Sequence, residues 1–520
     1  MIFMVVNVMK KSENLENMGE LKSFWIINTH DTNFNPLEKG LSVDVAILGA
    51  GIVGITSALL LKEAGLSVAL IEAERAIKDV TANTTAKVTA AHNIIYSNLE
   101  SHFGKEGARI YAEANQKSID KIESIIKERN IDCDFRRLPC YIYSENPDER
   151  DMLKKEAKAA ADAGLQATYT ETSPLPFEIT GAVKYENQAE FHPRKYLLNL
   201  IEGIPGDGSY IFENTRALNV KEGDINEVIT DKGSIKAKNV IVATHFPIYD
   251  PNRLYSKMYP NMSYALGLYL NETFPKGMYV STQPTVTYRS APSDKGDIVI
   301  VSGENHKVGH ELDTAESYRK LEKHALDHFN VKSIDYHWST QDNITIDNVP
   351  YIGKIESKSK GVYVATGFMK WGMTNGTVAA MIISDLILGN ENKWSSFFDP
   401  SRSMPKLEST KEFIGTNVGV FKELVGGKLS RPSSMDLSML KEGEGSVLTV
   451  KGKKAAVSRD ENGKLHILSP ACVHLGCQVV WNNAEKTWDC PCHGSRYRYD
   501  GKVIHAPALG DLPKYKDLEK

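Results

Sequence analysis

The sequence predicts an α/β domain, an α+β domain inserted into it, and a small all-β domain at the C-terminal end. Three observations predict this. A strand, a glycine turn, a helix and a second strand form a β-α-β unit between Val43 and Glu72. Long helical and then strand-like stretches separate that unit from a late strand and helix ending at Gly389. Four of the six cysteines crowd between Cys472 and Cys492, in a region of short strands and turns. A chain of 520 residues suits about three units at roughly 150 residues each. With 41% hydrophobic and 25% charged residues, 38 Gly and 21 Pro, the composition is that of a globular protein and excludes collagen-like, disordered and disulfide-scaffold chains. Lys and Arg number 62 against 66 Asp and Glu, so the net charge of -4 provides no basic field for nucleic acid or an anionic membrane.

The opening MIFMVVNVM is apolar, has no basic region before it and runs into KKSENLENMGE without a cleavage site, so it reads as neither signal nor anchor. No apolar run approaches the roughly 20 residues of a membrane span, and the expected location is the cytoplasm. VDVAIL and SVALIE read as strands around the helix ITSALLLKEAG. From about Tyr96 to Gly164 the pattern is helical, with KSIDKIESIIKERNID and ERDMLKKEAKAAADAG as amphipathic segments. YIFENTRALNVKEG, EVITDKGSIKAKNVIVAT, YALGLYL and DIVIVSG then read as strands bounded by Gly, Asn or Asp. GVYVATG and TVAAMIISDLILG give the last strand and helix, STKEFIGTNVGVFKELVGG a helix in a connector, and GSVLTV, KAAVSRDENGKLHIL and QVVWN short strands.

The turn Gly49-Ala50-Gly51-Ile52-Val53-Gly54 follows a strand and opens a helix. Gly49 permits the tight turn, Gly51 lets backbone N–H groups approach a pyrophosphate, and Gly54 lets helix and strand pack closely. Glu72 ends the second strand, where a carboxylate accepts hydrogen bonds from an adenosine ribose, with Glu74 the alternative acid. These features predict a dinucleotide site but do not choose between FAD and NAD.

Three further segments resemble the FAD-dependent oxidoreductases of the D-amino-acid oxidase and glycine oxidase type, over about residues 42–392. The segment TANTTAKVT matches the stretch that meets the flavin, which implies contacts from Thr84, Thr85, Ala86, Lys87 and Thr89. NVIVATH matches a second nucleotide-contacting strand, implying Ala243 and Thr244. GVYVATGFMKWGMTNGTVAAM resembles the closing flavin motif, implying Gly367, Trp371, Gly372, Met373 and Thr374; a helix beginning near Thr374 would offer N–H groups to the N1–C2=O edge of a reduced flavin. Val53 in the glycine turn completes the cofactor set, and Asp347 to Gly353 would form a strand turn near the cofactor. Catalysis in this family is hydride removal from a carbon next to nitrogen. No base is obligatory, so the catalytic residues stay unassigned, with His192, Arg289, His306 and Lys307 as candidates for the substrate face. Cys133 and Cys140 are candidates for a covalent flavin tether, against the ordinary reading of buried thiols.

Cys472-Val473-His474 and Cys490-Pro491-Cys492-His493 place two Cys and two His on two loops, which suits either a zinc site or a Rieske iron–sulfur cluster. Zinc would leave Cys477 and Cys492 without a role. The whole pair CVHLGC and CPCHGS resembles the Rieske box of the cytochrome bc type. By that resemblance Cys472 and Cys490 ligate one iron, His474 and His493 the other, and Cys477 and Cys492 form a disulfide. Ser495 and Tyr497 would donate hydrogen bonds to the cluster or its ligand sulfur. The outer nitrogens of His474 and His493 are expected to be exposed, and His466 and His505 to be surface or structural residues.

The resemblance therefore implies a Rossmann-like α/β FAD-binding domain with an inserted α+β substrate domain and a small all-β Rieske domain. Boundaries are expected at 42–100, 190–250 and 340–392 for the FAD domain and at 101–189 and 251–339 for the substrate domain. A linker with a helix spans 393–431 and the Rieske domain 432–520. The motifs also resemble a bacterial family that fuses these two halves. The implied function is a dehydrogenase: an amine or amino-acid-like substrate gives hydride to FAD, and electrons pass singly through the 2Fe-2S cluster to an unidentified acceptor. The alternatives are reversed flow driving a flavin reductase or monooxygenase, and a non-catalytic carrier or redox sensor.

Overall fold

The structure, a computed structural model, describes residues 19–311, 313–403 and 437–518. The N-terminal apolar segment and the connector helix expected in STKEFIGTNVGVFKELVGG lie outside the described residues.

Leu41–Leu48 forms the centre of an eight-stranded sheet because Val45 to Leu48 are buried on both faces, the pattern of a parallel strand covered on each side. It pairs in parallel with Val68–Ile71 and with Gly233–Val242, and the latter with Val362–Thr366. Tyr351–Lys354 closes one edge antiparallel to Val362–Thr366. The helices Ile52–Glu63 and Gly372–Leu388 pack on this sheet and on each other, and their buried surfaces extend nearly all round.

A second sheet has ten strands. Its long members are Met258–Leu270 and, antiparallel on either side of it, Ile298–Lys307 and Val331–Thr345. Arg136–Ser144 and Gly181–Glu190 extend it, and the two-residue strand Lys87–Val88 ends it. Arg136–Ser144 separates the helices Tyr96–Arg129 and Arg150–Asp162, so the stretch that reads as helical from Tyr96 to Gly164 contains a sheet strand. Alternate residues of the long strands share a face, which is what brings Tyr259, Asn261 and Ser263 to the same side, and Thr340, Asp342 and Ile344 likewise.

The C-terminal unit contains two small antiparallel sheets, Gly445–Val450 with Lys453–Arg459 and Leu465–Leu468, and Val480–Asn482 with Thr487–Asp489, Arg496–Arg498 and Val503–His505. Trp488 and Tyr497 fill its core against the four cysteines. Among the described residues no helix is long and apolar enough to cross a membrane.

The turn from Asp347 to Pro350 is clamped from outside the sheet. Arg402 donates to both carboxylate oxygens of Asp347 at 2.9 Å and to the carbonyls of Val349 and Pro350 at 2.6 and 2.9 Å. Asp347 is buried, so removing the guanidinium leaves an uncompensated charge. Arg402→Ala is expected to cost about 3–5 kcal/mol in denaturant unfolding. Arg402→Lys should recover only part of this, since one ammonium cannot span both oxygens and the two carbonyls.

Candidate functional site

Gly49 has φ +102°, and a Cβ there would lie 2.5 Å from the Ala243 carbonyl oxygen. A Cβ on Gly54 would lie 1.9 Å from the carbonyl of Gly49, so turn and helix touch through backbone. Gly51 caps the helix Ile52–Glu63, whose first N–H donates to Thr81 Oγ1 at 3.3 Å. Glu72 accepts from the N–H groups of Ala50 and Glu74, each at 3.0 Å. Burial pushes its pKa up against those donors.

This turn forms part of the floor of a cavity of about 750 Å³. Gly49, Gly51, Val53, Glu72, Thr84, Thr85, Lys87, Ala243, Thr244, Trp371, Gly372 and Met373 all line it, and so does Glu74. The other expected contacts stand behind the wall. Gly54 packs against Gly49. Ala86, with φ 57°, turns its carbonyl to Arg289 at 2.7 Å. Gly367 has φ +75°, and a Cβ there would meet Thr345 Cγ2 at 2.4 Å. Thr374 Oγ1 donates to the Thr89 carbonyl at 3.0 Å, tying the two segments together. The helix after Trp371 starts at Gly372, two residues before the expected Thr374.

The opposite wall comes from the ten-stranded sheet through Asn261, Ser263, Thr287, Ser302, Thr340 and Asp342. Lys87 reaches this wall, donating to Thr287 Oγ1 at 2.8 Å, and burial pushes its pKa down to about 7. The four substrate-face candidates are elsewhere. Arg289 is fully buried and holds Glu190 at 3.3 Å together with backbone carbonyls. His192 caps the helix Pro193–Glu202 and packs edge-on against Trp25. His306 stacks on Tyr264 and bonds its hydroxyl at 2.9 Å. Lys307, outside the cavity wall, is close enough to His493 for its charge to act on that ring. The alternation of Thr340, Asp342 and Ile344 was the signal available for this wall, and it reads equally well as an amphipathic strand. Cys133 and Cys140 are buried thiols outside the cavity, each pushed up to about 12 by burial.

The two cysteine loops have matching closures. Cys472 N–H donates to the Cys477 carbonyl and Gly476 N–H to that of Cys472, both at 2.8 Å. In the other loop Cys490 N–H donates to Ser495 at 2.8 Å and Gly494 N–H to Cys490 at 2.9 Å. Gly476 and Gly494 have φ +77° and +78°, a left-handed conformation that favours glycine in each loop. Cys477 and Cys492 form a disulfide, while Cys472 and Cys490 are buried and free. The rings of His474 and His493 stand 5.0 Å apart at 86°, and His493 Nδ1 is buried without a hydrogen bond. Tyr497 Oη lies 3.1 Å from Cys472 Sγ, and Ser495 also hydrogen-bonds that sulfur.

His474 and His493 do not both face solvent, contrary to the expectation from sequence. His493 is 3% exposed and its ring meets Tyr255 edge-on at 5.2 Å; His474 meets Tyr255 at 5.9 Å and Phe246 at 6.4 Å. The reason is docking of the C-terminal unit on the rest of the chain. Gln341 Nε2 donates to the Gly494 carbonyl at 3.0 Å, and a Cβ on Gly309 would meet Pro491 at 2.8 Å. His505 is likewise no surface residue: it lines the large cavity and bonds Asp79 at 3.0 Å and His245 at 3.3 Å. His466, paired with Asp460 at 2.8 Å, is structural.

Residues 44–386 match the family model for FAD dependent oxidoreductases, and residues 433–516 that for the Rieske [2Fe-2S] domain. The chain is 40% identical over 503 residues to YhfW of Bacillus subtilis (strain 168), which is named as a Rieske 2Fe-2S iron-sulfur protein; the match spans 96% of this chain and 98% of the relative. It is 21% identical over 390 residues to gamma-glutamylputrescine oxidoreductase of Escherichia coli (strain K12), across 70% of this chain and 88% of that one. Among solved structures, glycine oxidase from Geobacillus kaustophilus superposes with a TM-score of 0.58 at 15% identity, covering 70% of this chain and 99% of its own.

Behind the cavity, His92 stacks on Trp371 at 4.6 Å and joins the Thr89 and Trp371–Thr374 segments. Its Nε2–H donates to the Thr89 carbonyl at 2.6 Å, which leaves Nδ1 to accept from Tyr111 at 2.7 Å and fixes the neutral tautomer. Burial lowers its pKa to about 3. The unfolded chain therefore takes up a proton here before the folded chain does. Stability is full above the ordinary histidine pKa of about 6.5 and declines as pH falls from there toward 3. His92→Gln should lower Tm at neutral pH and flatten its decline between about pH 6.5 and 4, in a thermal-melt series over pH.

Proposed function

The chain belongs to the FAD dependent oxidoreductase family and carries a Rieske 2Fe-2S domain, and on that premise we propose a dehydrogenase that oxidises an amine or amino-acid-like substrate and delivers the electrons to an external acceptor. The observation that carries this reading is a single cavity walled both by the glycine-turn domain and by the cysteine-loop domain. The oxidoreductase named for gamma-glutamylputrescine and the glycine oxidase fold support the substrate class.

The residues present fit both groups. The glycine turn exposes backbone to the cavity at a helix N-terminus, where a pyrophosphate is favoured. Two free buried thiols and two facing imidazoles, one with an unpartnered buried nitrogen, are the donor set of a Rieske centre once Cys477 and Cys492 are joined to each other. Gly49, Gly51, Val53, Glu72, Thr84, Thr85, Lys87, Ala243, Thr244, Trp371, Gly372 and Met373 would hold FAD. Cys472 and Cys490 would hold one iron and His474 and His493 the other. When bound, FAD accepts two electrons as a hydride, and the cluster carries electrons one at a time.

The chain's own groups set the conditions for this chemistry. Asn261, Ser263, Thr287 and Ser302 present amide and hydroxyl groups that orient a polar substrate on the sheet wall, and Lys87 beside them offers a donor whose charge is easily given up. Tyr497 and Ser495 donate toward Cys472 and favour the more negative state of its sulfur. Gln341 holds the second cysteine loop against the strand that lines the cavity. We place the chain in the cytoplasm, where loops closed over the disulfide would shield it from thiols.

Anaerobic addition of amines and amino acids to the purified protein should bleach the flavin absorbance and then produce the EPR signal of the reduced cluster. Flavin that bleaches and reoxidises rapidly in O₂ while the cluster stays oxidised would overturn the dehydrogenase reading. Tyr497→Phe should shift the cluster midpoint to lower potential in a spectroelectrochemical titration and leave FAD content unchanged. His493→Ser should abolish the cluster signal with FAD retained, whereas Gly51→Val, which fills the cavity floor, should lose FAD with the cluster signal intact.

A further inference from the structure

We propose that the C-terminal domain is itself part of the FAD site, with His505 as its contact residue, so that FAD binding and docking of that domain form one coupled equilibrium. This rests on reading the large cavity as the FAD site. Arg496, Ile504, His505, Ala506 and Leu509 line the same cavity as the glycine turn, though they belong to a unit with its own sheets and core. Their placement is not a grazing contact. His505 is 7% exposed, and both ring nitrogens engage the other domain, Nδ1 with Asp79 at 3.0 Å and Nε2 with His245 Nδ1 at 3.3 Å.

Both partners belong to loops that leave the C-terminal ends of parallel strands. Asp79 stands two residues before Thr81, which receives the first N–H of the glycine-turn helix, and His245 directly follows Thr244. Crevices at such strand ends are where open α/β sheets take nucleotides. A residue of the C-terminal domain inserted between these loops completes a wall of the crevice.

A second contact region lies away from the cavity and gives independent control of docking. Thr314 Oγ1 lies 2.7 Å from Oδ1 of both Asn482 and Asn483 and donates its one proton between them, Asn483 donates to Asp313 at 2.8 Å, and Tyr318 donates to Glu485 at 2.8 Å. None of these residues lines the cavity. If the domain contributes to FAD affinity, weakening this remote latch must weaken FAD binding, and FAD must strengthen docking by the same factor.

The test uses the full chain, stripped of FAD with its cluster intact and titrated with FAD by flavin fluorescence. His505→Ala should raise Kd for FAD about tenfold, and the double variant Tyr318→Phe, Asn483→Ala about fivefold, within the usual range of coupling between sites. An unchanged cluster EPR spectrum shows that the C-terminal domain is folded in each. Wild-type Kd in both variants would overturn the proposal. Hydrogen exchange on the unmutated chain decides independently of any folding defect: FAD should slow exchange across residues 503–509, and equal exchange with and without FAD would also overturn it. Gly51→Val separates the two readings. Retention of FAD by that variant removes the cavity reading itself, whereas its loss beside normal affinity in the other variants removes only the role of the C-terminal domain.

Discussion

One buried carboxylate, Asp342, holds the site together. It is 5% exposed and takes three donors: His245 Nε2 at 3.0 Å, the Asn343 N–H at 2.7 Å and the Lys370 N–H. A carboxylate at that depth is tolerated only when its oxygens are filled. The three donors come from the long sheet strand, the loop after Thr244 and the loop before Trp371. Meeting Asp342 therefore fixes the cavity wall from three directions. His245, Met369 and Lys370 have φ of 61°, 53° and 75°, which non-glycine residues adopt at a cost of order 1–3 kcal/mol each. Such backbone persists where surrounding bonds over-determine it. Here the Lys370 N–H donates to Asp342, the Met369 N–H to the Asn343 carbonyl at 3.2 Å, and the His245 carbonyl accepts from Asn343 Nδ2 at 3.1 Å.

The same carboxylate extends to the C-terminal domain through the histidine pair. His245 donates to Asp342 and His505 to Asp79, so each ring has one nitrogen committed to a carboxylate. The nitrogens that face each other at 3.3 Å form a hydrogen bond only if one of them carries a further proton. Burial alone would lower the pKa of His245, but the hydrogen bond and charge of Asp342 carry it above the ordinary histidine value. One residue earlier on the strand, Gln341 grips Gly494 beside His493. The tripeptide Gln341 to Asn343 thus touches the cysteine loops, the histidine pair and the Met369–Lys370 loop within three residues.

What was legible in the sequence was whatever depends on short spacing. The glycine turn works through three glycines within six residues, and the two cysteine loops each carry their ligand types within a few positions, so local pattern and local geometry coincide. The far wall did not announce itself, because Thr340, Asp342 and Ile344 alternate as any half-buried strand does and acquire meaning only when the sheet lies over the turn. His505 was beyond reach for another reason: its partner His245 is 260 residues away, and nothing local marks either ring. The substrate-face candidates misled because Arg and His also satisfy buried structure. Arg289 neutralises Glu190, and His192 caps a helix. Similarly, the expectation of exposed ligand histidines treated the C-terminal domain as free, whereas once it docks Tyr255 lies against both rings and His493 is buried.

The character of this docking bears on how the two halves work. It combines apolar packing, with Ala484 in the core around Tyr318 and Pro491 against Gly309, and polar contacts: Gln341 to Gly494, Thr314 and Asp313 to Asn482 and Asn483, Tyr318 to Glu485, and His505 to Asp79 and His245. Hydrogen bonds contribute about 0.5–1.5 kcal/mol net each, and those to charged groups about 1.5–3. Each such bond is therefore comparable with the roughly 1–3 kcal/mol of typical coupling between sites, so the interface responds to events at its edge. Because its edge includes the cavity wall and the cover over His493, the environment of each redox site is set partly by the domain that holds the other.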